Sequence, residues 1–153
     1  MENSSKRKKV ILLFLSFLLC AFLGFFISHY YKNNKDEWIP VINSPNKNIY
    51  YNPSRIIHTR NNNVRIWLKL TGESAKDDAI KFGAKNNIPA ERYNNWAYDI
   101  ELWEYNCKNQ TVRIVSYASY STTNPIYSDD TIYSFSPVIP GTIGEDIYRI
   151  VCK

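Results

Sequence analysis

Near the amino terminus, eighteen consecutive uncharged residues follow a basic cluster, and this segment constrains the chain more than any other feature. Residues 10–27 read VILLFLSFLLCAFLGFFI, and they are preceded by Lys6, Arg7, Lys8 and Lys9. A helix of this length spans about 27 Å, which is close to the roughly 30 Å hydrocarbon core of a bilayer. The segment therefore predicts a single transmembrane helix. The basic cluster predicts a cytoplasmic amino terminus, with the rest of the chain exported.

Two outcomes are open for this segment, namely cleavage as a signal peptide or retention as a membrane anchor. Signal peptidase requires small residues near its cleavage site. Cleavage after Gly24 or Ser28 would place Phe22 or Phe26 two residues before the cleaved end. A lipid-attachment box needs a small residue before its cysteine, but Cys20 follows a leucine. These departures favour a retained inner-membrane anchor with the carboxy-terminal domain in the periplasm, whereas cleavage would release the domain towards the cell surface.

The apolar segment divides the chain into three parts. Residues 1–28 contain the basic region and the transmembrane segment, residues 29–37 form a polar linker, and residues 38–153 form one exported domain. The segment before residue 29 contains four of the 19 Lys and Arg residues and one of the 14 acidic residues. The rest of the chain therefore has 15 basic and 13 acidic residues and a charge of +2. A net charge this small does not predict nucleic-acid binding.

Aromatic residues and alternation predict that the exported domain is built on a sheet. All 12 tyrosines and all four tryptophans follow residue 28, and these residue types favour half-buried pleated surfaces. In residues 64–70, apolar residues occupy every second position. This pattern predicts a strand with one buried face and one solvated face. The solvated face would carry Arg65, Trp67 and Lys69.

The predicted fold class is α+β, an antiparallel sheet with a packed carboxy-terminal helix. Strands are predicted at residues 38–42, 49–51, 56–59, 64–70, 98–105, 112–120, 126–127 and 132–135. A weak helix of two or three turns is predicted between a capping Ser74 and a closing Gly83. The final helix, residues 143–151, is predicted to begin with a capping box formed by Thr142 and Glu145. Its apolar stripe consists of Ile143, Ile147, Ile150 and Val151.

The sequence contains no recognisable catalytic or metal-binding constellation. The two histidines, His29 and His58, are far apart in the chain, so no histidine-based nucleophile or metal cluster forms from neighbouring residues. Two acidic pairs invite an acid/base or calcium interpretation, but adjacent carboxylates in loops are usually solvated. These pairs are Asp77 with Asp78 and Asp129 with Asp130. The sequence therefore predicts a non-enzymatic domain with no cofactor and no metal.

Two cysteines lie in the exported domain, Cys107 and Cys152. In an oxidising compartment, one disulfide is the simplest interpretation of such a pair. It would tie the end of a central strand to the carboxy-terminal helix. Two free thiols or an incomplete metal site are the alternatives, although two cysteines without a nearby histidine cannot complete a zinc shell.

The order of these features resembles the surface-adhesin protein E family of Gram-negative bacteria. The resemblance covers nearly all of residues 38–153 and rests on Trp38 and on residues 50–51, 64–67, 105–107 and 140–152. It implies an antiparallel sheet with a packed helix, a disulfide between the two cysteines, and binding to host extracellular-matrix and serum proteins. The chain departs from the founding adhesin, an outer-membrane lipoprotein, because it lacks a lipid-attachment box.

Two functions are consistent with these features. The first is a protein-binding module whose ligand surface is the solvated sheet face with Arg65, Trp67 and Lys69, extended by Arg55 and Arg60 near the hairpin. Trp and Arg together are typical of binding hot spots, unless the helix covers Trp67 and the cations are ordinary solvated charges. The second is a structural or accessory protein that is tethered to the inner membrane and contacts another envelope protein.

Overall fold

Structure is described for residues 37–43 and 45–153, in a computed structural model. The predicted transmembrane segment, residues 10–27, and residues 29–36 of the predicted linker lie outside the described residues. Within the described part of the chain, no helix is long and apolar enough to cross a membrane. Glu37–Lys153 group into one compact unit.

Eight strands form a single antiparallel sheet in the described residues. They are β1 (Ile39–Asn43), β2 (Asn48–Tyr51), β3 (Ile57–His58), β4 (Asn63–Thr71), β5 (Trp96–Asn106), β6 (Thr111–Ser121), β7 (Pro125–Asp129) and β8 (Ser136–Pro137). The spatial order is β1-β2-β4-β5-β6-β7, while β3 pairs with β4 and β8 pairs with β6. The long strands β4, β5 and β6 therefore form the centre of the sheet.

Two helices pack on one face of this sheet, which we call the helix face. They are α1 (Glu73–Lys85) and α2 (Ile143–Val151). The core between the helices and the sheet is made of buried residues from β2, β4, β5 and both helices: Ile49, Val64, Ile66, Leu68, Leu70, Ala75, Tyr105, Ile147 and Val151. The four β4 residues in this core are those that the alternation assigned to the buried face, so this prediction is confirmed.

A disulfide joins the end of β5 to the end of α2, as the sequence predicted. Cys107 follows the last residue of β5, Cys152 follows the last residue of α2, and their Cα atoms lie 5.3 Å apart. Two hydrogen bonds hold the same helix. The Tyr105 hydroxyl donates to the Gly144 carbonyl over 3.1 Å, and the Tyr148 hydroxyl donates to the Cys107 carbonyl over 3.0 Å. Helix α2 thus has both covalent and noncovalent attachments to the sheet.

Helix α1 is longer than predicted, and neither predicted end residue marks its boundary. It has 13 residues, with Gly72 rather than Ser74 at the N-cap, and it continues past Gly83 to Lys85. Gly72 has a φ of 97°, a backbone conformation that favours glycine. Gly83 lies inside the helix, where an added Cβ would overlap the Tyr93 phenol. This glycine therefore permits close packing and does not end the helix.

The prediction of a strand at residues 132–135 was wrong. The neighbouring strand β6 has an extra residue, Val115, because Leu102 pairs with Ser116 while Trp103 pairs with Ile114. Such a bulge interrupts the regular hydrogen-bonding pattern of a strand. The passing chain makes one backbone hydrogen bond to this edge, from the N–H group of Tyr133 to the Ile114 carbonyl over 3.1 Å.

Helix α2 begins where predicted but without a reciprocal capping box. The Glu145 carboxylate accepts a hydrogen bond from the Gly141 N–H over 2.8 Å, one residue before the N-cap Thr142. The Thr142 hydroxyl donates to the Ile139 carbonyl over 2.6 Å and makes no capping bond to the helix. A glutamate near the helix start still lies at the positive end of the helix dipole.

Candidate binding face

The predicted surface residues Arg65, Trp67 and Lys69 lie on the sheet face opposite the two described helices. Their β4 neighbours in sequence contact the helices, and successive side chains of a strand point to opposite faces. All three side chains are half-buried. The alternative in which α1 or α2 covers Trp67 therefore does not hold. We call this side of the sheet the groove face.

A groove of about 380 Å³ runs across this face. Its walls are mainly aromatic, with two cations and one aliphatic residue among them: Trp38, Arg55, Trp67, Lys69, Tyr98, Ile100 and Tyr120. The Tyr98 and Tyr120 rings stack with centroids 5.1 Å apart. The Lys69 ammonium nitrogen lies 4.6 Å from the centroid of the Tyr98 ring, which is within the range of a cation–π interaction. These contacts hold Lys69 beside the groove.

Arg65 belongs to a second cluster on the same face, centred on Glu104. The Glu104 Oε2 accepts hydrogen bonds from Arg65 and Arg113, with Nη2 distances of 3.2 and 2.9 Å, and Oε1 accepts one from the Asn63 amide at 2.8 Å. The Arg113 guanidinium in turn lies 4.3 Å from the centroid of the Phe135 ring. The charge of Arg65 is therefore partly balanced by Glu104, whereas Lys69 forms no salt bridge within the part of the chain that the structure describes.

The environment of Glu104 favours its ionised form. Burial alone would raise the pKa of this carboxyl, but hydrogen bonds from Asn63 and Arg113 and the charges of Arg65 and Arg113 outweigh it and hold the pKa below its ordinary value. A lowered pKa in the folded state contributes stability above the pKa of the unfolded chain. This contribution is lost as the pH falls through the folded pKa.

Replacing Glu104 with glutamine is expected to destabilise the domain at neutral pH. Glu104→Gln removes the charge between two arginines whose side chains are 34% and 24% exposed and can turn towards water. We expect a loss of roughly 1–2 kcal/mol in the free energy of unfolding. Urea unfolding at pH 7 and pH 3 measures it, because the difference should shrink at pH 3. An equal loss at both pH values would contradict the assigned charge state.

Sequence reasoning found three residues of this face and missed most of the groove. Both Arg55 and Arg60 were predicted to extend this surface. Arg55 lines the groove, whereas Arg60 lies in the exposed hairpin turn and does not line it. The missed residues are Trp38, which precedes β1, and Tyr98, Ile100 and Tyr120. The last three lie in β5 and β6, where Tyr98 pairs with Tyr120 and Ile100 pairs with Lys69. The alternation in each strand was visible, but the register between strands was not.

The acidic pairs behave as ordinary polar groups. Asp78 forms a salt bridge of 3.0 Å with Lys47 and one of 3.8 Å with Lys81. Asp130 accepts a hydrogen bond from the Ser116 hydroxyl, and Asp129 accepts one from the Thr131 N–H. Among the described residues, no group of three or more His, Cys, Asp or Glu side chains is arranged to hold a metal ion.

The fold and the groove face define a class: a small α+β domain with one disulfide and an aromatic, partly cationic surface groove. Residues 38–153 match the family model of surface-adhesin protein E, and the chain belongs to this family, as its sequence features predicted. No curated protein and no solved structure matched the chain. Family membership identifies an adhesin-like surface or exported protein that binds other proteins, and it favours binding over catalysis.

Proposed function

We propose that the domain binds a host extracellular-matrix or serum protein, without catalysis, through the groove face. The observation that carries the proposal is the position of Trp67 and Lys69 on the groove wall, half-buried and next to stacked tyrosines. A half-buried tryptophan offers a large rigid surface that is already ordered. Such residues supply much of the binding energy at protein interfaces.

The charges of this face favour an acidic segment of the partner. Lys69 is held over an aromatic ring and forms no salt bridge with a described residue, so its charge is available to a ligand. Arg65 shares Glu104 with Arg113, and two arginines around one carboxylate leave a net positive cluster. Electrostatic complementarity of this kind raises association rates and makes them salt-dependent. Binding should therefore weaken as the salt concentration rises.

Replacing Trp67 with alanine is expected to weaken binding to the partner by about 30-fold or more, the factor that corresponds to a loss of 2 kcal/mol. Lys69→Ala should weaken binding by about three- to tenfold and reduce its salt dependence. The measurement is surface plasmon resonance with the full-length chain in mild detergent against purified matrix and serum proteins.

The matched control for this experiment is Lys85→Ala, which removes an exposed cation from the end of α1. Its affinity should equal that of the wild type, and all variants should show the same melting temperature within a few degrees. Unchanged affinity in Trp67→Ala would exclude the groove face. The absence of binding to any protein of the panel would argue against the host-protein role.

The alternative role, a tethered envelope protein that contacts another periplasmic protein, is favoured by one observation. Residues 10–27 lack small residues at the cleavage positions and lack a lipid-attachment box. Membrane fractionation with surface biotinylation of intact cells separates the two roles. The adhesin role requires labelled domain at the cell surface, whereas recovery of unlabelled protein exclusively in the inner membrane would contradict it.

A further inference from the structure

A second cavity lies on the helix face, between α1 and the sheet, and none of its residues belongs to the groove. Its volume is about 150 Å³. Most of its wall is apolar, formed by Leu70, Ala75, Ala79, Phe82 and Ile114. A cavity of this volume accommodates a ligand of about six heavy atoms, as the apolar cavity that binds benzene shows. The cavity therefore has room for a small organic group.

Two carboxylates of β5 lie at the cavity, and they differ in their hydrogen bonding. Asp99 accepts three hydrogen bonds, from Trp96, Tyr117 and Ser119, at 2.7, 3.0 and 2.6 Å. Glu101 accepts one, at its Oε2 atom, from the Trp103 indole N–H at 2.6 Å. Among the described residues, none donates a hydrogen bond to the other oxygen, Oε1.

Glu101 is only 9% exposed, although it carries this unpaired oxygen. Oε1 itself is not fully buried, so a ligand can reach it, and a charge-assisted hydrogen bond formed there would lie in a largely desolvated environment, where it is strong. Burial, only partly offset by the hydrogen bond from Trp103, raises the pKa of Glu101 to about 7. A cation next to the carboxylate would lower this pKa again.

The remaining charged and titratable groups at the cavity leave a negative balance. Lys47, from the segment before β2, is the one cation among the residues that line the cavity; it forms a salt bridge of 3.0 Å with Asp78, from α1, and its charge also lowers the pKa of Glu101. Tyr117 and Tyr133 contribute neutral phenols. The carboxyl groups of Asp99 and Glu101 remain, so the cavity suits a cation better than an anion or a neutral ligand.

We propose that this cavity binds a primary ammonium group on an unbranched apolar stem, with the ammonium donating to Glu101 Oε1 and the stem packing between α1 and the sheet. A lysine side chain of a partner and a free alkylamine share this chemistry. A guanidinium fits less well, because its planar fork requires two acceptor oxygens side by side, and Oε2 is already occupied by Trp103. The proposal concerns the helix face and is independent of the groove.

The test uses the full-length chain in mild detergent and three probes. These are n-butylammonium chloride, Nα-acetyl-lysine N-methylamide, and n-butanol as a matched stem without charge. The reporter is the NMR signal of the Trp103 indole N–H, since this group donates to Glu101. At pH 8.5 we expect n-butylammonium to shift the signal saturably and n-butanol to leave it unchanged.

Glu101→Gln should weaken n-butylammonium binding by about tenfold or more, because the ion pair between the ammonium and the carboxylate is replaced by a hydrogen bond from the ammonium to a neutral amide oxygen. The control Asp77→Asn removes an exposed carboxylate of α1 that does not line the cavity, and it should bind as the wild type does. Binding of Nα-acetyl-lysine N-methylamide would indicate that the ligand is a lysine side chain of a partner. Binding of n-butylammonium but not of this lysine derivative would indicate a free alkylamine.

A pH series keeps the test decisive if Glu101→Gln fails to fold. Protonation of Glu101 should weaken n-butylammonium binding to the wild type by about tenfold or more between pH 8.5 and pH 5.5, while the alkylammonium stays charged. An equal affinity at both pH values, an equal affinity of a folded Glu101→Gln, or equal binding of n-butanol would overturn the proposal.

Discussion

Replacing Cys152 with serine is expected to lower the melting temperature by about 10 °C or more. The disulfide closes a loop between residues that are 45 positions apart. Its loss should increase the entropy of the unfolded chain and thereby lower the free energy of unfolding by roughly 3–5 kcal/mol. In a domain of this size, a loss of 2 kcal/mol already lowers the melting temperature by about 10 °C. Differential scanning calorimetry measures the effect.

The folded structure of the variant should change little. Ile147 is fully buried in the core, and Tyr105 and Tyr148 donate hydrogen bonds that join α2 to the β5 end, so α2 should remain docked. Cys20→Ser is a suitable background because it removes the third cysteine of the chain. In that background, reductant should lower the melting temperature of the protein that retains Cys107 and Cys152, and it should leave the melting temperature of the Cys152→Ser variant unchanged. A wild-type pair indifferent to reductant would contradict the role of the disulfide.

Replacing Glu101 with glutamine is expected to stabilise the domain above neutral pH. Burial raises the pKa of Glu101 from 4.5 to about 7. The fold therefore favours the protonated form, and the stability gained from this preference is fully present below pH 4.5 and is lost as the pH rises through 7. Glutamine resembles the protonated acid and does not ionise. At pH 8 the variant should exceed the wild type by roughly 3 kcal/mol in the free energy of unfolding.

The same comparison at pH 4 should show almost no difference, because both side chains are then neutral. Guanidinium unfolding at pH 4, 6 and 8 measures the trend. The exposed Glu91 provides the matched control, since Glu91→Gln should follow the wild type at every pH. A Glu101→Gln variant that is less stable than the wild type at pH 8 would show that the fold requires the carboxylate charge.

The elements that local patterns define were predictable from the sequence. Alternation located β4 and assigned its buried face, because a single strand contains this information. The cysteine pair and the apolar stripe of residues 143–151 predicted the disulfide and α2. The predicted hairpin before β4 is also present. The Asn62 φ of 58° and the hydrogen bond from Thr59 N–H to the Asn63 carbonyl close its turn.

The features that depend on contacts between distant segments were not predictable in this way. Both the groove and the Glu104 cluster need the register of β4, β5 and β6. This register includes the bulge at Val115, which no local pattern indicated. In the sequence Gly83 looks like a residue that ends a helix, but in the structure a glycine is needed at this position because the Tyr93 phenol packs against it. Glu101 was missed because a charged residue in an alternating strand suggests a solvated position, whereas α1 covers it.

Site-specific photo-crosslinking tests the central claim, that the groove face contacts the partner, most directly. A photoreactive phenylalanine analogue would replace Tyr120 in the groove wall and, in a separate variant, the exposed Lys85 of α1. The partner would be the matrix or serum protein that binds the wild-type chain most tightly. We expect a crosslinked product from position 120 and none from position 85. A product from position 85 and none from position 120 would contradict it.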